Sequence, residues 1–191
     1  MRQDFDFIKS CNNTGDFMPD ENIVRIKKIG RKRYVFNNES FPFLNDDEIK
    51  NLCIRKGTLT YDERLIIENH AKVTQKITGG LPFPDELSRV SEFASSHHEK
   101  PDGNGYPNGL SGKQLAIQSR IIAIADIFEA LTSKDRPYRE PMNLSKAIKI
   151  LEFMQKDNHI DRDIYELFMS AGIYKEYAKR EIDPGQIDID I

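Results

Sequence analysis

The clearest pattern along the chain is a helical repeat of apolar residues between positions 60 and 80. In the segment TYDERLIIENHAKVTQKIT, four residues recur at intervals of three or four and share one face of a helix: Ile66, His70, Val73 and Ile77. Thr60 and Glu63 have the spacing of a capping box, which predicts the start of this helix. The pair Gly79-Gly80 predicts its end, since glycine commonly terminates helices.

Two further segments predict helices with different patterns. The segment PDELSRVSEFASSHHE, residues 84–99, places four residues on a common side: Leu87, Val90, Ala94 and His97. We expect this helix to end at the Lys100-Pro101 bond, because the residue before a proline disfavours the α conformation. The segment SRIIAIADIFEALTS, residues 119–133, is apolar nearly all round, which predicts a central position.

The C-terminal third of the chain predicts two more helices. They are LSKAIKILEFMQ, residues 144–155, and DRDIYELFMSAGIYKEYA, residues 161–178. No segment shows a convincing alternation of apolar and polar residues of the kind that predicts a strand. The expected fold class is therefore all-α, a helical bundle of about five core helices.

Residues 1–45 have a weaker pattern than the rest. They combine a helical segment, ENIVRIKKI, with a basic run over residues 30–33 and a polar turn over residues 37–40. Such a short basic run is more typical of a solvated face than of a nucleic-acid site. We predict a partly irregular N-terminal segment over residues 1–45 and the main domain over residues 46–191.

The composition narrows the function classes. With 191 residues, 38% hydrophobic and 31% charged, the chain suits a globular domain, and its net charge of −3 gives no global field for nucleic acid or anionic lipid. The longest apolar run, residues 121–125, is too short to cross a bilayer, and no signal peptide is evident. Cys11 and Cys53 form no CxxC pair, which favours reduced thiols and a cytoplasmic setting.

Asp126 is the first candidate for chemistry, because it lies within the apolar helix of residues 119–133. Burying an ionised carboxylate is costly unless a cation or strong donors compensate it. Two interpretations follow: an ion pair with a basic residue such as Arg120, or a metal ligand.

The histidines supply the neighbours that a metal ligand needs. His70 alone, on an apolar helix face, is more often a core residue than a ligand. His97 and His98 change this interpretation, because adjacent helical residues point about 100 degrees apart and can reach two sides of a metal cluster. Three of the four histidines and Asp126 thus lie on three successive predicted helices. Imidazole with carboxylate suits iron, manganese, nickel or zinc.

A glycine-rich loop and a basic cluster complete the candidate site. In PDGNGYPNGLSG, glycines permit close approach of a ligand and prolines stiffen the path. Tyr106 is either an aromatic platform on which a base stacks or a side chain that fills the core. In KDRPYRE, Arg136 and Arg139 either bind phosphate in bidentate fashion or form an exposed charged turn.

The segments HHEKPDGNGYP and RIIAIADIFEALTSKDRPYR closely resemble the HD-GYP family of metal-dependent phosphodiesterases, which hydrolyse cyclic di-GMP, a bacterial second messenger. The resemblance extends over roughly residues 46–189 and implies an HD-domain-like helical bundle with a signature GYP loop. It implies that His97, His98 and Asp126 are catalytic as metal ligands and that His70 is a fourth ligand. It also implies substrate-binding positions at Gly105, Tyr106, Pro107, Arg136 and Arg139.

One departure from the family pattern concerns the metal site. The namesake His-Asp dyad should precede the His70 helix and bridge the metals, yet this sequence contains no His-Asp pair. The simplest interpretation is that the chain is the C-terminal part of a longer protein; a truncated or degenerate member is the alternative. With four ligands left, we expect weak metal binding and a weak or inactive isolated chain.

The resemblance also implies the cofactor and the reaction. The family uses divalent metal, here expected to be iron or manganese, with two or three ions in the complete domain. The ions activate a water for in-line attack on phosphorus without a protein nucleophile. The alternatives are a catalytically silent module that binds a nucleotide or a protein, and an HD-superfamily phosphohydrolase that acts on another nucleotide.

The expected partners follow from the same resemblance. They are cyclic di-GMP, an upstream sensor or receiver domain, a protein partner at the GYP loop and a second copy in a homodimer, without nucleic acid. The expected location is cytoplasmic, with membrane anchoring through an upstream domain as an option.

Overall fold

A computed structural model describes residues 2–12, 17–134 and 141–191. The chain divides into two compact units, Met1–Ile67 and Glu68–Ile191, which are described one at a time. Among the described residues, no helix combines the length and the apolar content that a bilayer span requires. The all-α prediction is confirmed, apart from one small hairpin.

The first unit consists of short elements. They are α1 (Arg2–Cys11), α2 (Asp20–Gly30), β1 (Arg33–Phe36), β2 (Glu39–Pro42) and α3 (Asp46–Leu52). Helix α2 contains the predicted segment ENIVRIKKI and buries Ile26 and Ile29. Helix α3 begins with a reciprocal capping box, in which the Asn45 side chain accepts from the Glu48 amide and the Glu48 carboxylate accepts from the Asn45 amide.

The hairpin corrects the prediction that no strand is present. Strands β1 and β2 pair antiparallel around Asn37 and Asn38, whose φ angles of 49° and 63° lie in the left-handed region. Asparagine tolerates this region, and two such residues form the turn that fits the twist of a hairpin. The four residues of β1 are all exposed, so no buried face imposed the alternation that would have revealed the strand.

The remaining elements begin with the helix that the apolar repeat predicted. They are α4 (Tyr61–Gly79), a 3₁₀ turn (Asp85–Leu87), α5 (Val90–Ser95), α6 (Ile117–Thr132), α7 (Leu144–Lys156), α8 (Arg162–Ser170), α9 (Ile173–Glu181) and a second 3₁₀ turn (Pro184–Gln186). The predicted cap of α4 is confirmed, because the Thr60 amide and hydroxyl both donate to Glu63 Oε2 at 2.8 Å. Its predicted end at Gly79 is confirmed as well.

The apolar face of α4 is not buried, contrary to the expectation that His70 lies on a core-facing position. Ile66 is 73% exposed, Ile77 is 61% exposed and His70 is also exposed, while in the described chain Ala71 is the buried residue of this helix. The periodicity identified which face is apolar, but it carries no information on whether another element covers that face.

Two predicted helices are shorter than expected. The segment of residues 84–99 forms a 3₁₀ turn and then α5, which ends at Ser95 rather than at Lys100. Another helical turn would use the backbone carbonyls of Glu92 and Ala94 as acceptors, but side chains bond them instead. Ser95 Oγ donates to Glu92 O at 3.3 Å, and the His97 ring bonds Ala94 O at 2.7 Å. His97 and His98 therefore lie in a turn, and the argument from adjacent helical positions was wrong.

The segment of residues 161–178 forms two helices instead of one. Gly172 has a φ of 67°, a left-handed conformation that glycine adopts without strain, and it separates α8 from α9. The two helices can then lie at an angle and cover the core from two sides.

The core of the second unit lies between α6, α7, α8 and α9. Its buried side chains on the first two of these helices are Ile124, Phe128 and Leu131 of α6 and Leu144, Ala147 and Leu151 of α7. Phe128 is 2% exposed, and its ring lies 5.2 Å from Phe168 and 5.4 Å from Tyr177 between centroids. The predicted central position of α6 is confirmed on this side, although Ile117 and Ile121 are exposed on the other.

Candidate metal centre

Three histidines from two parts of the second unit meet at one point. His70 lies on α4, and His97 and His98 lie in the turn after α5. One ring nitrogen from each falls within 4.8 Å of the others, and the Nε2 atoms of His70 and His98 are 2.9 Å apart. Ligands on opposite sides of an ion at about 2.1 Å would lie about 4.2 Å apart, so the cluster has the size of a metal site.

The turn after α5 fixes the ring of His97. Its Nδ1 lies 2.7 Å from the carbonyl oxygen of Ala94, so Nδ1 carries the proton and donates. In the neutral ring, Nε2 is then the nitrogen available as a ligand, an arrangement that is typical of metal-binding histidines. Helix α5 ends earlier than the sequence predicted, and this end has a chemical role. The free carbonyl of Ala94 accepts the Nδ1 proton and so sets the tautomer of His97.

His98 lies between its two neighbours and the GYP loop. Its ring centroid is 4.0 Å from that of His97 and 4.8 Å from that of His70. Burial, followed by the adjacent His97 and His70, lowers the pKa of His98 to about 4, while Asp126 opposes the shift. His98 is therefore neutral near pH 7, as a metal ligand must be.

The GYP loop brings Tyr106 onto the histidines. The Tyr106 ring stacks on His98 with centroids 4.8 Å apart and planes at 28°, and the Tyr106 amide donates to His98 O at 3.3 Å. Burial raises the pKa of Tyr106 to about 12, with smaller contributions from Glu68 and Asp126, so the phenol stays protonated. Tyr106 thus contacts the histidine cluster, and its role as an aromatic platform stays a prediction.

Asp126 lies on α6 and is partly buried. Its charge acts on His98 and on Tyr106, which places it near the cluster. Among the described His, Cys, Asp and Glu side chains, however, the group within 4.8 Å contains the three histidines and not this carboxylate. The alternative ion pair with Arg120 does not form, because Arg120 donates to Asp161 at 2.9 Å and to the carbonyls of Gly112 and Leu115.

Comparison with known proteins identifies the family to which this site belongs. A family model described as HD domain matches residues 46–164, which is more than half of the chain. The chain belongs to the HD domain family, as an HD-GYP member. The resemblance to the HD-GYP family, which rested on the HHEKPDGNGYP segment, is thereby confirmed.

Several relatives of this HD domain are named as phosphodiesterases. The 3′3′-cGAMP-specific phosphodiesterase 1 of Vibrio cholerae is 36% identical over 115 residues, which are 60% of this chain and 26% of the relative. A cyclic di-GMP phosphodiesterase of Pseudomonas aeruginosa is 35% identical over 136 residues, 71% of this chain and 32% of the relative. One of Thermotoga maritima is 36% identical over 101 residues, with shares of 53% and 27%.

The chain spans between 26% and 32% of the length of these three relatives. The similarity therefore concerns less than a third of the length of each.

Two of the residues predicted for this HD domain lie outside the described chain. Arg136 and Arg139 fall within residues 135–140, so their role in phosphate binding stays a prediction. Gly105 and Pro107 lie with Tyr106 in the loop beside His98, both partly buried.

Sequence reasoning missed one residue of this site, Glu99. It directly follows His98, and it is only 3% exposed. Its carboxylate accepts the backbone amides of Asn108 at 2.6 Å and Leu110 at 2.9 Å, both within the glycine-rich GYP loop of residues 101–112. The available signal was its position: a single acid between a histidine pair and a glycine-rich loop is well placed to accept loop amides.

Proposed function

We propose that this chain carries part of the site of a metal-dependent phosphodiesterase that hydrolyses cyclic di-GMP. The observation that carries the proposal is the convergence of His70, His97 and His98, with the ring of Tyr106 stacked on His98. It joins a metal-binding group to an aromatic surface on which a base can stack. The printed names of the relatives support the same reaction.

The proposed metal ligands are the three histidines and Asp126, and the proposed ion is iron or manganese. When bound, such an ion acts as a Lewis acid and lowers the pKa of water towards neutrality. The chain contributes neutral imidazoles held in place: His97 by its bond to Ala94 O, and His98 by stacking under Tyr106. The complete domain is proposed to hold two or three ions.

The proposed substrate contacts lie on the loop and on the basic segment. Tyr106, which is partly buried, is proposed to stack on a guanine base, while Gly105 and Pro107 shape the backbone beside it. Arg136 and Arg139 are proposed to bind the phosphodiester, since guanidinium groups pair with phosphate oxygens in bidentate fashion. Because some relatives are named as 3′3′-cGAMP-specific, that dinucleotide is the second substrate to test.

The wider setting is proposed from the same family. Residues 46–191 form the domain portion, an upstream sensor or receiver domain controls it, and the setting is cytoplasmic. The GYP loop and a second copy of the chain are the proposed protein contacts.

The test is hydrolysis of cyclic di-GMP and of 3′3′-cGAMP by the purified chain with added Mn²⁺ or Fe²⁺. We expect slow, metal-dependent turnover that is lost in His97→Ala and kept in His159→Ala, a matched control because His159 is the histidine outside the cluster. A folded chain that binds either dinucleotide without metal-dependent turnover would instead identify a silent binding module.

A further inference from the structure

Glu99 is a buried acid whose partners all belong to the GYP loop. A carboxyl group at 3% exposure needs hydrogen-bond donors, and both of its oxygens have one: Oε1 accepts from Asn108 N and Oε2 from Leu110 N. Both oxygens are thereby engaged in loop contacts. In this arrangement Glu99 does not act as a metal ligand, although it directly follows His98.

A second contact holds the other side of the same loop. A Cβ atom built on Gly105 would lie under 3 Å from the Cα of Glu99 and the amide nitrogen of Lys100, a separation that real Cβ atoms essentially never show. The loop backbone therefore passes directly against the backbone of Glu99. The Tyr106 amide then reaches His98 O, and the Tyr106 ring reaches His98.

These contacts connect the loop to the histidine pair on both sides of Tyr106. Residue 98 is bonded to residue 106, and residue 99 is bonded to residues 108 and 110. The Glu99 side chain thus closes the loop near His98 together with a backbone bond from the Gly112 amide to Pro101 O at 3.0 Å. Loss of the carboxylate would free the two amides that hold the segment after Tyr106, where the glycines allow the backbone to move.

We propose that Glu99 is a positioning residue, which holds the GYP loop and Tyr106 against the histidine cluster so that metal and substrate parts of the site keep one geometry. The claim that Glu99 holds the loop rests only on the contacts described above. The claim that this affects binding of cyclic di-GMP rests on the proposed function.

The first test measures hydrogen exchange of the Asn108 and Leu110 amides by NMR. In the wild-type chain we expect both amides to be protected, and in Glu99→Ala both should exchange at least about tenfold faster. Glu99→Gln keeps one acceptor oxygen and should retain protection at one of the two amides. Glu86→Ala, which removes an exposed carboxylate from the 3₁₀ turn before α5, is the matched control and should change neither.

The second test separates positioning from general destabilisation. For Glu99→Ala we expect the KM for cyclic di-GMP to rise about tenfold or more, while Mn²⁺ affinity stays within about threefold of wild type. Gly105→Ala should release the loop in the same way, through the steric contact with Glu99 instead of the carboxylate.

The outcomes distinguish the two proposals. Unprotected amides in the wild-type chain, or equal exchange in wild type and Glu99→Ala, would overturn the role of Glu99, and the wild-type measurement stands even if a variant fails to fold. Absence of turnover even in a protein extended upstream to include a His-Asp dyad would contradict the proposed function, whereas the exchange data would still decide the role of Glu99.

Discussion

At the scale of single residues, the proposed site separates metal binding from phosphate binding. We predict that His97→Ala abolishes turnover of cyclic di-GMP and removes bound metal, because it deletes a ligand held by Ala94 O. Arg136→Ala should keep the metal and lower kcat/KM roughly ten- to hundredfold, since a charge-assisted phosphate contact is worth about 1.5–3 kcal/mol. Kinetics and metal content are measured on the same samples.

The comparison includes its own control. Arg162→Ala removes an exposed arginine that pairs with Glu166 on α8, and it should alter neither quantity. Wild-type turnover with metal retained in His97→Ala would contradict the assignment of that histidine.

The sequence predicted the residues of the cluster better than it predicted their geometry. Residue chemistry identified His70, His97 and His98, because imidazoles near an acid are recognisable without coordinates. The expectation that His97 and His98 are adjacent residues of a helix was wrong, because hydrogen bonds from the side chains of Ser95 and His97 end α5 early. Glu99 escaped notice because its partners lie nine and eleven residues away, and such pairing has no periodicity to detect.

At the scale of elements, the break between α8 and α9 depends on one glycine. Gly172 has a φ of 67°, and an added Cβ would find open space, with Lys175 Cδ nearest at 3.8 Å. The cost of Gly172→Ala is therefore backbone strain alone, and we predict a loss of roughly 1 kcal/mol in the free energy of unfolding. Urea denaturation followed by circular dichroism measures it.

Gly79→Ala provides the matched substitution at another helix terminus. Gly79 lacks a left-handed φ, and its added Cβ would meet Ser91 Oγ at an ordinary 3.6 Å. This variant should be neutral or slightly stabilising, because alanine favours helix by up to about 1 kcal/mol over glycine. Equal destabilisation by both substitutions would show that strain at Gly172 is not the cause.

The N-terminus of α7 is capped from the far end of the chain. Among the described residues, its local cap Asn143 makes no side-chain capping bond, and Asp188 instead accepts the Ser145 amide at 2.9 Å and the Ser145 hydroxyl at 2.6 Å. These bonds lower the pKa of the Asp188 carboxyl below its ordinary value of 3.8. The contact attaches the tail that packs Ile187, Ile189 and Ile191 against the core.

This cap predicts a pH dependence. Because the folded-state pKa is lowered, the stabilisation is complete above the unfolded pKa and is lost as pH falls through the folded value. Asp188→Ala should therefore be less stable than wild type at about pH 7, and the difference should shrink towards about pH 2. Asp190→Ala removes an exposed neighbouring carboxylate and is the control. A difference that stays constant with pH would contradict an ionised cap.

Elements were predictable where a buried face imposed a period. The boundaries of α6 and α7 follow the sequence pattern closely, since both helices bury apolar residues in one core. The hairpin of β1 and β2 is exposed and left no such pattern, although Asn37-Asn38 is a recognisable turn signal. Gly172 lies inside the segment that was predicted as one helix, and only its φ of 67° shows that it separates two helices.

At the scale of the whole molecule, the number of available ligands limits metal binding. Three imidazoles lie within 4.8 Å of one another, and the sequence holds no His-Asp pair to bridge a second ion. We predict at most one weakly held Mn²⁺ or Fe²⁺ per chain, measured by elemental analysis after equilibrium dialysis. Tight binding of two or more ions would contradict this, and His70→Ala should lower the occupancy.

The side chain of Gln186 has a consequence for anyone who engineers this protein. Its Nε2 donates to Thr132 O at 3.1 Å and to Met142 O at 2.9 Å, two carbonyls that flank the stretch of sequence containing Arg136 and Arg139. Gln186 thus bonds the residues on either side of the basic segment, which a backbone bond from the Met142 amide to Leu131 O at 3.0 Å also joins. A substitution at Gln186 would therefore release two carbonyls next to the proposed phosphate-binding residues, and substrate affinity should be compared between Gln186→Ala and wild type.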